Sequence, residues 1–231
     1  SNAISAPAGG ADFYDHQISQ SCRFVGASGN DGTHYMYHTR GTPTNADKCT
    51  ISAWVKRSSI GTKDQMFTGG GIYGSNDCWF GFKSDNKFYL AQNIGGAGGQ
   101  APSLKSDDVF RDTGAWYHIV LAFDSTQSTA ADRNKIYING VQYTDWVTNT
   151  TDATLNRDFV VNTSGNTLFV GSGGASEGNS YYPFSGYIAE YVFIDGTQYE
   201  ATDFAETVNG VWQPKDPSGL TFGNNGAYLK F

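Results

Sequence analysis

Short apolar runs recur along the chain roughly every dozen residues, each broken by a cluster of Gly, Asn, Asp or Ser. Within the runs, apolar and polar positions either alternate or are solidly apolar, and the three-and-four spacing of an amphipathic helix is almost absent. The pattern predicts strands at Cys22–Val25, His34–His38, Thr50–Arg57, Gln65–Thr68, Trp79–Lys83 and Lys87–Gln92. It continues with Tyr117–Phe123, Lys135–Asn139, Thr167–Gly171, Gly186–Ile194 and Ala227–Phe231.

Trp116 to Phe123 is apolar apart from His118, so both faces of that strand should be covered. Ile136 and Ile138 share one face and Tyr137 the other, as in a half-buried strand, and Asn139-Gly140 then signals a tight hairpin. "NIGGAGGQAP" (93–102) and "GSGGASEGNSYYPF" (171–184) read as long loops. Asp203 with Glu206 three residues on resembles a capping box and predicts one helical turn over Asp203–Glu206. The sum is an all-β jelly-roll sandwich of two antiparallel sheets, in one domain over 11–231. Residues 1–10 are expected to be an N-terminal arm, and Ser-Asn-Ala at its start looks like a scar of tag removal.

Composition narrows the function classes. A chain of 231 residues can bury a full core without disulfides. Aromatics at 15% and 29 glycines beside only 16% charged residues suit many strands and turns. A net charge of −7 argues against a nucleic-acid partner or an anionic membrane, which need a cationic face. No apolar run approaches the roughly 18 residues of a spanning helix. Cys22, Cys49 and Cys78 are odd in number, far apart and set in strand-like contexts, so they read as three buried thiols, consistent with folding in a reducing cytoplasm, with one pair bridging after export as the lesser alternative.

Candidate chemistry is sparse. A sandwich glycosidase strand of the form Glu-x-Asp-x-x-Glu has its nearest match in "ATDFAE" (201–206), where Ala201 stands at the nucleophile position, so a glycoside hydrolase is only a remote alternative. His118 and Glu190 each share a strand face with apolar residues; they are expected to be satisfied structural polar groups, bonded to each other across the sandwich, with a general acid–base pair as the alternative that no accompanying nucleophile supports. His34 and His38 would lie about 13 Å apart on a strand, too far for one metal ion. Asn149-Thr-Thr and Asn162-Thr-Ser are glycosylation sequons. Two stretches combine oxygen-bearing side chains with aromatics. Tyr73, Trp79, Tyr181 and Tyr182 are the candidate glycan platform, and Asn76, Asp77 and Asp85 are candidate calcium ligands. The same residues also read as turn formers and packing aromatics.

"CTISAWVKRSS", "RDTGAWYHIVLAFDSTQSTAADRNKIYINGVQ", "FSGYIAEYVFIDGTQYEATDFAET" and "GVWQPKDPSGLTFGNNGAYLKF" together resemble the laminin-G-like, concanavalin A-like domains of bacteriophage structural proteins, common in tail-fibre-like proteins of marine phages. The resemblance implies a non-enzymatic virion protein, made in the bacterial cytoplasm and displayed outside it. Such a protein recognises a host-surface polysaccharide or builds the particle through contacts with other virion proteins. It also implies calcium at the sandwich rim, as superfamily members often hold, and a homotrimer, as tail fibres usually form.

Overall fold

A computed structural model describes residues 16–26, 34–61, 63–72, 76–93, 100–149, 153–176 and 179–231. Its strands, in chain order, begin with β1 (Cys22–Phe24), β2 (Met36–Thr39), β3 (Lys48–Arg57), β4 (Gln65–Ile72), β5 (Asn76–Phe82) and β6 (Lys87–Asn93). Next come β7 (Gln100–Val109), β8 (Tyr117–Asp124), β9 (Asn134–Ile138), β10 (Val141–Gln142), β11 (Trp146–Asn149) and β12 (Thr167–Val170). The last are β13 (Gly174–Ser176), β14 (Asn179–Tyr181), β15 (Gly186–Asp195), β16 (Ala205–Val208), β17 (Val211–Pro214) and β18 (Ala227–Leu229).

Two antiparallel sheets form the sandwich. The first runs β1-β15-β3-β8-β9-β10, with β18 also on β15; the second runs β11-β7-β6-β5-β4-β12-β2. Between them lie Ile51, Phe80, Phe82, Phe88, Leu121, Phe123, Phe159 and Phe193, all essentially excluded from water. Phe123 of the first sheet meets Phe80 of the second at 5.9 Å between ring centres, and Phe159 at 4.8 Å, spacings at which aromatic pairs attract beyond their area burial.

A third layer lies on the other side of the first sheet. Val120, Ala122, Val192 and Ile194 point away from the sandwich core and pack against Ala201, Phe204, Trp212, Leu220 and Phe222 of the C-terminal segment. This is why Tyr117–Asp124 is apolar at both parities: each of its faces has a layer on it. Asn139 and Gly140 have φ of +49° and +83°, the left-handed pair that the two-residue turn between β9 and β10 requires.

Several expectations shift. β7 was hidden because only Leu104 among its inward positions is strongly apolar and Lys105, Asp107 and Asp108 read as loop. Its Pro102 sits where the register with β6 slips, the place a sheet tolerates proline. The 171–184 segment contains the β13–β14 hairpin rather than open loop. The helical turn falls at Ala201–Asp203, where the Asp203 carboxylate accepts from the Glu200 N–H at 2.8 Å; Ala205–Val208 is strand.

Candidate functional site

Strand β5 divides its side chains cleanly. Cys78, Phe80 and Phe82 enter the sandwich, while Asp77, Trp79 and Gly81 face outward from the second sheet. Directly across from Trp79 stand Gly69 on β4 and Ala91 on β6, two residues with little or no side chain. The segment after β12 folds back over this face. A Cβ on Gly69 would lie 2.4 Å from the Gly173 carbonyl oxygen, and one on Gly173 would touch the Trp79 ring at 3.0 Å, so both glycines are needed for the approach. Ser172 ties the fold-back: its hydroxyl lies 2.6 Å from the Gly174 carbonyl oxygen and 3.0 Å from that of Tyr181, its one proton serving either acceptor.

Tyr182 follows at φ +54°, its carbonyl accepting from the Met66 N–H at 2.9 Å. Its ring stands edge-on to Trp79, 6.0 Å between centres and 80° between planes, and both rings are half-buried. Trp79 and Tyr182 thus meet on one sheet face; Tyr181 is the last residue of β14, and Tyr73 lies outside the described residues. Asp77 and Asn93 face each other in register one step along the same face, both buried. Asn93 is not among the candidates the sequence offers for this face; the alternation Tyr89, Ala91, Asn93 along β6 is the signal that places it there.

The calcium candidates do not converge. Asn76 and Asp77 open β5, whereas Asp85 lies in the turn beyond its far end, more than about 20 Å along the strand at the usual rise. Asp85 pairs with Lys105 at 2.5 Å and accepts from the Lys87 N–H at 3.3 Å. Burial alone would raise its pKa, but those donors outweigh it and hold the carboxyl below the ordinary range. No group of three or more His, Cys, Asp or Glu among the described residues is placed to hold a metal ion.

His118 and Glu190 are both buried and both hydrogen-bonded, but not to each other. His118 Nδ1 accepts from the Trp212 indole N–H at 3.1 Å, which leaves its proton on Nε2 to donate to Ser52 Oγ at 2.9 Å. The ring stacks on Trp54 at 4.8 Å, and burial pushes its pKa down to about 3, so it is a neutral strut. Glu190 accepts from His16 at 3.1 Å and from the Tyr228 hydroxyl. Its φ is +48°, in the bulge where the β15–β3 register slips between Ala189 and Val192.

Asn162 is fully buried and spends its amide on the Asn45 and Lys48 carbonyls and on Asp195, so the second sequon is an internal brace. Asp195 also accepts from the N–H groups of Thr44, Asn45 and Asn225. Burial works to raise its pKa; the Asn162 amide and those N–H groups more than reverse it.

A family model described as the Concanavalin A-like lectin/glucanases superfamily matches residues 30–202. Among solved structures, the chain is similar to a native heptameric SAP-like pentraxin from Limulus polyphemus, at 14% identity over 80% of each chain and a TM-score of 0.54. It is also similar to domain 4 of AbnA, a GH43 extracellular arabinanase from Geobacillus stearothermophilus solved with arabinotriose, at 20% identity, 80% and 75% coverage and a TM-score of 0.50. The third is tailspike protein 2 of Escherichia coli O157:H7 bacteriophage CAB120, at 16% identity and a TM-score of 0.50, covering 81% of this chain and 24% of that one. At these identities the likeness is one of fold. Comparison with curated proteins gave no match.

Proposed function

We propose, for a chain that belongs to the concanavalin A-like lectin/glucanases superfamily, a non-catalytic role: binding a polysaccharide on the outer face of the second sheet. The observation that carries this reading is Trp79, half-buried between Gly69 and Ala91, with Tyr182 edge-on beside it. A flat indole whose two in-register neighbours carry little side chain, with the Tyr182 ring beside it, offers a sugar ring an apolar face. The non-catalytic part is supported at 201–206. Ala201 occupies the nucleophile position, the Asp203 carboxylate caps a turn, and Glu206 is an exposed strand residue.

The setting we propose is a phage particle, with a host-surface polysaccharide as ligand. Its support is the sequence resemblance, whose most particular motifs make the third layer: Asp195, Trp212, Asn225 and Tyr228 all hold it in place. A purely structural virion module is the second reading. It is favoured by edge strand β2, where Tyr37 is 68% exposed beside Tyr35 and Phe169.

The test is binding to an array of bacterial surface polysaccharides, with calcium and then with chelator. The reading expects saturable binding that falls at least tenfold in Trp79→Ala and Tyr182→Ala. Binding unchanged in both variants, or none across the array, overturns it and favours the structural module.

A further inference from the structure

On the opposite side of the molecule, over the outer face of the first sheet, a cavity of about 540 Å³ opens between residues 16–21 and β17. That size lies within the ~300–1,000 Å³ of small-molecule sites. Three of the chain's five tryptophans line it: Trp54, Trp116 and Trp212. Two of these indoles are fixed in place by one residue, since His118 stacks against Trp54 and accepts the Trp212 N–H. Trp212 also rests on the Asn139-Gly140 turn, where a Cβ on Gly140 would lie 2.9 Å from its ring. The walls are therefore set before any ligand arrives.

Gln213 lines the same cavity and is only 6% exposed, and its Oε1 has no hydrogen-bond partner among the described residues. A buried carbonyl acceptor left unpaired among the described residues is a place where a donor entering the cavity would be bound. No Asp, Glu, Lys or Arg is among the described residues lining the cavity, and His16 is held by Glu190. Among those described residues an anion finds no free cation, and a cation no carboxylate. What fits is an uncharged molecule with a flat apolar face and hydroxyl donors on its rim.

The geometry points to a second saccharide site in this cavity, taking a neutral pyranose that lies against the Trp54, Trp116 and Trp212 indoles and donates a hydroxyl to Gln213 Oε1. The site is separate from Trp79 and stands whether or not the second sheet binds sugar.

The experiment titrates the ¹⁵N-labelled chain with methyl α- and β-pyranosides of glucose, galactose and mannose and follows the tryptophan indole N–H signals. The expected result is that at least one glycoside shifts the Trp54, Trp116 and Trp212 signals, leaves Trp79 unmoved, and does so equally in Trp79→Ala. Trp116→Ala, at a half-buried position, should weaken that response tenfold or more, and Gln213→Leu several-fold with the remaining spectrum intact. Three outcomes overturn the inference: no shift with any neutral glycoside, the same response in Trp116→Ala, or a response to N-acetylneuraminate or choline in place of the neutral sugars. Loss of polysaccharide binding in Trp79→Ala with this response intact would separate the two faces.

Discussion

His16 and Tyr228, from opposite ends of the chain, meet on one oxygen, Oε2 of Glu190. Strand β1 pairs with residues 186–188 of β15 and β18 with 191–193, so the bulge at Glu190 is the gap between the two terminal strands. One buried carboxylate closes both ends over the first sheet.

Removing that carboxylate should loosen the ends before the core. Glu190→Ala leaves the Tyr228 hydroxyl without its acceptor, at a cost of about 1–3 kcal/mol. For a domain of this size that lowers the Tm by several degrees, at roughly 2–4 °C per kcal/mol. Hydrogen exchange should accelerate at 22–24 and 227–229 while β3 and β8 stay protected; uniform acceleration would contradict the clasp.

Stability should fall in mild acid through His118. Its folded pKa of about 3 lies below the ordinary 6.5, so the folded state favours the neutral ring. The contribution is complete above pH 6.5 and declines as pH falls from there towards 3, by about 1.4 kcal/mol per unit at most. Thermal unfolding between pH 7 and 4.5 should be less steep in His118→Gln than in the parent, and equal slopes would refute this.

Gly140→Ala should cost about 1–3 kcal/mol, since the position has φ +83° and the added methyl would press on the Trp212 ring. Tryptophan fluorescence should change with it, because Trp212 would leave His118. The contrasting substitution Gly210→Ala has a similar φ of +80° but meets nothing within 4 Å. It should give the backbone cost without the spectral change.

The thiols should differ in reach. Cys49 and Cys78 are fully buried and burial drives both pKa values up, while Cys22 is half-buried with a smaller rise of the same cause. A thiol reagent should modify at most Cys22 in the native protein and all three once it is unfolded. Rapid native labelling of Cys78 would contradict the packing of β5.

What the sequence made legible is what depends on neighbours in the chain. The period-two alternation placed most strands, the solid run at Tyr117–Asp124 foretold a sheet covered on both faces, and Asn139-Gly140 announced its own turn. What stayed hidden depends on distant partners. β7 is polar because strands β6 and β11 hold its backbone on both sides, so it needs little apolar surface of its own. Asp85 looked like a ligand because Asp serves turns and ions with the same oxygens. His118 and Glu190 could be seen to need partners, but which ones depended on a register slip at residue 190 and on the C-terminal layer. The Trp79–Tyr182 contact was only partly visible, as two aromatic loops whose meeting required the β13–β14 fold-back.

The convergence of both ends at one bulge also decides how the domain meets mechanical load. Strands β1 and β18, three residues each, lie along the same edge of β15, and their outward extensions run towards each other. Polypeptide joined before β1 and after β18 would leave from adjacent points. Tension drawn through it would cross the Glu190 clasp and peel two short strands, leaving the long β15–β3–β8 ladder slack. The domain would hang from such a chain as a pendant, its two sheet faces keeping their shape while the line that carries it is pulled.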